Sequence, residues 1–236
     1  MRFFLPVVWL SLVLVSLSGC NSQPDATDYF PLDKGLSWQY QVTNSAQQEQ
    51  SIYRVTNLGT TEVAGETVTV RRANDGHDYY LERKPDGIYR YASRTLFETY
   101  PAVDEPPRMV LPLPYLKAAE RTWASKTVSY VIRRIGPSTV TSVNNPIPGF
   151  VMNYRVAAED ETVEVPAGRF EHCLLVEGTA KLTMFTDPLT GYEDVPVTTR
   201  EWYAPGVGLV KLERVEPLET RVYQGGSYLF ELVGFD

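Results

Sequence analysis

Two stretches decide the fold of this chain, namely Glu164–Gly178, EVPAGRFEHCLLVEG, and Glu201–Glu213, EWYAPGVGLVKLE. Each has a strand-like run on either side of a glycine turn. In the second stretch, Pro205 and Gly206 suit the two central positions of a type II turn, because proline fixes φ and glycine tolerates a positive φ. Both stretches therefore predict β-hairpins.

The same pattern of short strands and turns runs through the mature chain. Trp38–Val42 alternates apolar and polar side chains, as a half-buried strand does. Asn74-Asp75-Gly76 and Pro85-Asp86-Gly87 are strong turn signals. Turns at this spacing predict a mainly β fold, with an antiparallel curved sheet or a two-sheet sandwich. At most one or two short helices are expected, and Tyr115–Arg121 is the best candidate for one.

Three segments interrupt the pattern. Pro101–Pro114 contains five prolines, which cannot donate to a β-ladder, and is predicted to be a connector. Pro137–Pro148 is predicted to be irregular, and Asp187–Pro196 to be a hairpin loop. A strand is predicted over Lys126–Ile135.

The two halves of the chain resemble each other. Tyr53-Arg54-Val55 is matched by Tyr154-Arg155-Val156, and Glu62–Gly65 by Glu164–Gly168, in the same order. The pattern predicts two similar β-meanders, one over about residues 29–100 and one over about residues 108–236. Both belong to a single domain that spans residues 29–236. The alternative is that an antiparallel protein simply reuses similar turns.

Composition and charge limit the class of partner. Hydrophobic residues make up 43% of the 236 residues, and aromatic residues 12%, which is enough for a sizeable core. The net charge of −7 argues against nucleic acid as a partner, because a phosphate backbone requires a basic surface. The arginine pairs Arg71/Arg72 and Arg133/Arg134 are interpreted as solvated strand positions.

The N-terminus has the pattern of a signal peptide. Met1-Arg2 is basic, Phe3–Val15 is apolar, and Leu17-Ser18-Gly19-Cys20 resembles the bacterial lipobox. The resemblance implies cleavage between Gly19 and Cys20 and lipidation of Cys20. Residues 1–19 would then be the signal peptide and 20–28 a lipidated tether. The alternative is a signal anchor with an incidental cysteine.

The lipobox resemblance also implies a location. Two or more acyl chains hold a protein firmly on a membrane, so Cys20 would anchor the mature chain to the cell envelope. Asn21 follows the cysteine, where an aspartate would favour the inner membrane in enteric-type sorting. The expected location is therefore the outer membrane, facing the periplasm, with the acyl groups (palmitate among them) as the membrane contact.

Three motifs resemble those of a family of uncharacterised bacterial lipoproteins and periplasmic proteins. They are VPAGxFxxC at Val165–Cys173, WYAPGVG at Trp202–Gly208 and the opening FPLxxGxxWxY at Phe30–Tyr40. The resemblance spans most of the mature chain and concerns structural residues. The family is a domain of unknown function, so it implies no catalytic residue.

No catalytic or metal-binding set emerges from the sequence. His172 and Cys173 are neighbours on a predicted strand and point to opposite faces, so they cannot form a dyad. His172 is interpreted as a core histidine, and Cys173 as a small buried hydrophobe whose acidic neighbours raise the thiol pKa. His77 lies in a turn, and the acidic loop at 187–194 lacks calcium-site order. No cofactor or metal is expected.

Aromatic strand residues are the remaining candidates for function. A concave surface is predicted to be lined by Trp38, Tyr40, Trp123, Tyr130 and Trp202. The first hypothesis is a non-enzymatic envelope lipoprotein that binds an apolar ligand or a partner protein of the envelope. A periplasmic hydrolase that uses His77 or His172 is the alternative, and a structural spacer is a third.

Overall fold

The computed structural model describes residues 27–115, 121–136, 147–187 and 189–236. The predicted signal peptide, Cys20 and most of the predicted helix Tyr115–Arg121 lie outside these residues, as does most of Pro137–Pro148. None of the described residues belongs to a helix. Among them there is accordingly no helix of the length and apolarity needed to cross a membrane.

Thirteen strands form one antiparallel sheet among the described residues. Their bounds are β1 Ser37–Asn44, β2 Glu49–Val63, β3 Glu66–Ala73, β4 Asp78–Lys84, β5 Gly87–Arg94, β6 Ala102–Pro112, β7 Thr122–Thr127, β8 Arg133–Arg134, β9 Phe150–Val165, β10 Gly168–Asp187, β11 Gly191–Ala204, β12 Gly208–Glu219 and β13 Tyr223–Phe235. The prediction of a mainly β fold with a curved antiparallel sheet is confirmed.

Two meanders make up the sheet. The strands β1 to β6 pair in chain order, as do β9 to β13, and β1 pairs with β13 to join the two series. β7 pairs with β9 at one end of the path, and β6 forms the other end. The two ends meet, because Ser125 Oγ donates to the Met109 carbonyl (2.9 Å) and Arg108 Nη1 to the Lys126 carbonyl (2.8 Å). The sheet is therefore nearly closed and barrel-like, with a seam between β6 and β7.

Short turns set the register of the meanders. Ala64-Gly65 forms a two-residue loop with φ of 49° and 88°, the positive values that match the twist of a hairpin. Gly206 has φ of 73°, which the second central position of a type II turn requires. The turn assigned to Pro205 and Gly206 from the sequence is thus confirmed.

The segments that echo each other occupy corresponding places in the two meanders. Tyr53 on β2 and Tyr154 on β9 both face the interior of the sheet. The hairpin turns at Glu62–Gly65 and Glu164–Gly168 directly follow these two strands. Two similar meanders are therefore present, while a common origin of the halves stays a prediction.

The segments predicted to be a connector and a hairpin loop both contain strand residues. β6 covers most of Pro101–Pro114, and it lies at the end of the strand order. Pro106 and Pro107 fall where its pairing with β5 skips residues, whereas Pro112 pairs with Gly87 at the end of the strand. β11 begins at Gly191, inside the predicted loop Asp187–Pro196. The strand predicted over Lys126–Ile135 is also wrong, since β7 ends at Thr127 and only Arg133–Arg134 forms a bridge to β13.

The hairpin of β9 and β10 bends at its outer end. Its register shifts repeatedly between Phe170 and Val176, and the Ala167 amide donates to the Leu232 carbonyl of β13 (2.9 Å). Irregular pairing of this kind bends a strand, as bulges do. The bend brings Cys173 and Leu175 into one buried cluster with Trp202.

Candidate ligand-binding cavity

A cavity of about 330 Å³ lies inside the sheet. It reaches the seam, because residues of both β6 and β7 contribute to its wall. Eight aromatic rings line it, together with aliphatic side chains, four cationic side chains and one carboxylate. The lining residues are Phe30, Tyr40, Tyr53, Val55, Arg71, Tyr79, Leu81, Arg90, Arg108, Met109, Val110, Ser125, Lys126, Thr127, Tyr130, Tyr154, Glu201, Tyr203, Leu209, Leu212 and Phe230.

Strand pairing positions the aromatic wall. Tyr40 and Tyr53 are direct partners across β1 and β2, so they face the same side. The Phe230 ring on β13 lies 5.7 Å from the Tyr40 ring and 5.5 Å from the Tyr53 ring. The three rings therefore form a continuous apolar surface.

Two of the five aromatic residues predicted to line a concave surface lie in the cavity wall. Tyr40 is 5% exposed and its hydroxyl donates to the Leu209 carbonyl (2.9 Å). Tyr130 is 45% exposed, and the Arg214 guanidinium lies 4.0 Å from its ring centroid. Tyr40 thus belongs to the deep wall and Tyr130 to its solvent-exposed border.

The three tryptophans among these candidates lie elsewhere. Trp38 is buried and its indole donates to the Val207 carbonyl (2.7 Å), while Trp123 stacks on Tyr154 with 5.4 Å between centroids. Trp202 pairs with Leu175 and Lys211 on the face of β11 opposite to Tyr203, where it is 5% exposed and belongs to the buried cluster with Cys173. None of the three is among the described lining residues.

Arg71 on β3 is a cation inside the cavity. Its Nε donates to Asn57 Oδ1 and its Nη2 to the Pro31 carbonyl, both at 2.9 Å. The guanidinium lies 4.5 Å from the ring centroids of both Phe30 and Trp38. Burial lowers the pKa of Arg71 to about 10, and nearby Tyr40, Tyr203 and Asp28 oppose that change. Arg71 is therefore charged at neutral pH.

Glu201 on β11 is the carboxylate of the cavity. The Tyr203 hydroxyl donates to its Oε2 (2.6 Å). Burial raises its pKa above the usual value, against the Tyr203 hydrogen bond and the charge of Arg214. Its negative charge is therefore disfavoured and already partnered.

Cations also line the cavity at the seam. Arg90 and Arg108 each contact a carboxylate oxygen of Asp104 at 2.7 Å, and Lys126 lies across the seam on β7. Arg90 and Arg108 therefore share one acidic partner. The cavity is thus electropositive in a chain whose net charge is negative.

Arg71 and Glu201 line the cavity, although no sequence pattern indicates them as binding residues. The interpretation of Arg71 as a solvated position is wrong, whereas Arg72 is half exposed and pairs with the buried Asp78. Arg71 is the direct partner of Tyr79 across β3 and β4, so both side chains face the cavity. Alternation shows that Arg71 and Arg72 point to opposite faces, but it does not show which of the two faces is the interior.

The predictions for His172 and Cys173 have opposite outcomes. His172 is not a core histidine, because its side chain is 72% exposed and its Nδ1 lies 2.6 Å from Asp160 Oδ1. The bulge at this point gives His172 a φ of 57° and turns it outward. The burial of Cys173 is confirmed, and desolvation followed by the charge of Glu161 raises its pKa to about 11.

The acidic and histidine-containing turns do not form a metal site in the described part of the chain, where no three metal-ligating side chains converge. Asp75 Oδ1 accepts the backbone N–H of His77 (3.0 Å), which is ordinary turn chemistry. Neither His77 nor His172 is among the described residues that line the cavity.

Comparison with known proteins gives a partial family match. Residues 139–218, about a third of the chain, match the model of a family described as DUF3108-like, whose name denotes a domain of unknown function. The matched range contains both hairpin motifs, Val165–Cys173 and Trp202–Gly208. Comparison with curated proteins gives no match.

Two solved structures are similar in overall chain course. One is a "putative lipoprotein" from Parabacteroides distasonis, 17% identical, with a TM-score of 0.45, covering 90% of this chain and 100% of that one. The other is a "putative exported protein" with a YmcC-like fold from Bacteroides fragilis, 15% identical, with a TM-score of 0.38, covering 88% of this chain and 98% of that one. At these levels of similarity, neither assigns a function.

Proposed function

We propose that this protein is a lipid-anchored lipoprotein of the bacterial cell envelope that binds an apolar ligand non-enzymatically inside its curved sheet. Anchoring would be through Cys20, in the outer membrane and facing the periplasm. The cavity lined by eight aromatic rings carries the binding proposal. The lipobox at Leu17–Cys20 supports the anchoring proposal.

Binding would draw on the apolar wall of the cavity. A volume of about 330 Å³ is at the lower end of the range for pockets that bury small organic ligands. Transfer of apolar surface from water contributes about 25 cal/mol per Å². One small ligand, or one acyl chain of a larger one, is the matching size.

A cavity-filling variant tests the binding proposal. Leu212 on β12 lines the cavity, so Leu212→Trp should abolish binding of a naphthylamine dye that fluoresces in apolar surroundings. Val215 on the same strand is 42% exposed, and Val215→Trp is the matched control. If Leu212→Trp binds the dye as tightly as wild type, the cavity is not the binding site.

A labelling experiment tests the anchoring proposal. Cells that express the full chain are grown with labelled palmitate, and their envelopes are fractionated. Cys20→Ser should lose the label and leave the membrane fraction, while the control Cys173→Ser should retain both. Unlabelled wild-type protein, or a labelled Cys20→Ser variant, would contradict lipidation at Cys20.

A further inference from the structure

We propose that the ligand of the cavity is an acidic amphiphile, with an apolar body and one carboxylate or phosphate group, and that Arg71 binds the acidic group. This inference rests on the proposed function, since it names the chemical class of the ligand that the cavity binds.

Arg71 has unused hydrogen-bonding capacity. A guanidinium carries five N–H donors, and the hydrogen bonds of Arg71 to described residues use two of them, both to neutral oxygens. No carboxylate of the described residues lies within ion-pair distance. Asp28, a nearby acid, is already paired with Arg83 at 2.6 Å.

Arg71 is partly buried, and a cation withdrawn from water without a carboxylate partner is costly unless something compensates it. The rings of Phe30 and Trp38, each 4.5 Å from the guanidinium, supply part of the compensation as cation–π contacts. A carboxylate or phosphate could supply the rest through paired N–H···O bonds, for which the planar guanidinium is well shaped.

The remaining charges of the cavity favour the same ligand. At the seam, which the cavity reaches, Arg90, Arg108 and Lys126 outnumber Asp104, and this excess of positive charge would attract an anion. Glu201 offers little to a cationic ligand, because its carboxyl group already accepts the Tyr203 hydroxyl. The cationic side chains at the seam and the partnered Glu201 carboxyl group therefore both disfavour a cationic ligand.

A series of probes with one apolar chain and different head groups tests this inference. Dodecanoate, dodecyl phosphate, dodecanol and dodecylamine are each used to displace the naphthylamine dye from the mature protein, below their micelle concentrations. We expect the better of the two acids to bind at least about tenfold more tightly than dodecanol, and dodecylamine to bind more weakly. A preference for the carboxylate or for the phosphate identifies the head group.

Variants then assign the effect to Arg71. Arg71→Met should bring the affinities for the acid and the alcohol close together, and Arg71→Lys should keep part of the difference. The control Arg54→Met replaces an exposed arginine on the neighbouring strand and should retain the wild-type preference. A thermal melt verifies that each variant is folded, and the wild-type probe series remains decisive if Arg71→Met does not fold.

Two results would overturn the inference. Equal binding of dodecanol and both acids to wild type would exclude an acidic ligand but leave the apolar cavity proposal standing. An acid preference that survives in Arg71→Met would exclude Arg71 as the anchor. Absence of binding by the dye and all four probes would instead contradict the proposed function itself.

Discussion

At the scale of single residues, the ion pairs of this protein differ greatly in burial. Asp78 on β4 is 1% exposed and accepts hydrogen bonds from Arg72 (2.6 and 2.9 Å) and Arg94 (2.5 Å). The pair of His172 and Asp160, by contrast, has both side chains mostly in solvent. Only the first group is expected to affect stability measurably.

Asp78→Asn should lower the free energy of unfolding by about 3 kcal/mol. The loss is expected at the lower end for a broken buried pair, because Arg72 is half exposed and can be hydrated. Urea unfolding at neutral pH, followed by tryptophan fluorescence, measures it. Asp160→Asn is the control and should change stability by no more than about 0.5 kcal/mol. Equal effects of the two changes would contradict this assignment.

The same residue predicts a pH dependence. Hydrogen bonds from Arg72 hold the pKa of Asp78 below its ordinary value of 3.8, against the effect of burial. A depressed folded-state pKa contributes stability that is present above the ordinary pKa and is lost as pH falls through the folded-state pKa. Wild type should therefore lose this contribution below about pH 3.8, and Asp78→Asn should lack that part of the decline. Unfolding experiments across the acid range test this.

Arg71 and His172 were misplaced by sequence reasoning for two different reasons. Alternation places Arg71 and Arg72 on opposite faces of β3, but which face is the interior depends on how the whole sheet curves. His172 lies within a register shift of β10 after Phe170, and such a shift cannot be read from alternation. The burial of Cys173 could be predicted from the sequence, because a small apolar residue can pack in a core on either face of a strand.

At the scale of elements, the segment between β7 and β8, residues 128–132, is not part of a strand, and hydrogen bonds with side chains hold it in place. The Glu216 carboxylate accepts the backbone N–H groups of Tyr130 (3.0 Å), Val131 (3.1 Å) and Ile132 (3.3 Å), as well as the Ser129 hydroxyl. Arg214 donates to Glu216 (2.7 Å) and to the Val128 carbonyl (2.9 Å). This buried pair therefore places Tyr130 at the border of the cavity.

Glu216→Gln should destabilise the protein by about 4 kcal/mol, because it leaves the charge of Arg214 buried without its anionic partner. It should also weaken dye binding, since Tyr130 loses its fixed position. Urea unfolding and dye titration measure the two effects. Glu213→Gln, on the same strand and 36% exposed, should leave stability within about 1 kcal/mol of wild type. A similar result for both variants would show that the pair does not hold the segment.

The prolines show which strands and turns can be predicted from the sequence and which cannot. Turn chemistry located most hairpins correctly, as at Pro85-Asp86 and Pro205-Gly206, because those turns need particular backbone angles. The prolines of β6 argue against a strand when the sequence alone is considered. That inference holds for a central strand, but an edge strand can leave the proline side of its ladder unpaired. Sequence alone did not show that β6 is the edge.

At the scale of the whole molecule, the pairing of β1 with β13 joins the two meanders, and the cavity follows from the curvature of the joined sheet. Aromatic-rich alternating strands predicted a concave surface, but the choice of inward residues depended on the closure. Tyr40 and Tyr130 are brought together with Arg71 and Glu201, while Trp202 packs in a buried cluster on the opposite face of β11. Closure is a long-range property that local patterns do not encode.

The closure is uneven around the sheet, and this predicts where the molecule opens. Backbone ladders join β13 to both β1 and β12. Across the seam of β6 and β7, by contrast, the side chains of Ser125 and Arg108 donate hydrogen bonds to backbone carbonyls. Exposed edges with few backbone bonds open locally at lower cost than central strands. Hydrogen exchange followed by mass spectrometry should therefore show faster exchange in β6 and β7 than in β1 and β13.

A variant at the seam separates local opening from global unfolding. Arg108→Met removes the bond to the Lys126 carbonyl and should speed exchange in β6 and β7, because the two edges then have one bridge fewer. Exchange in β1 and β13 should be unchanged, since each of these strands has a backbone ladder on both sides. Arg133→Met removes an exposed arginine away from the seam and is the control. If Arg108→Met accelerates exchange in all strands alike, the sheet unfolds as one unit, and the seam is not where ligands would enter.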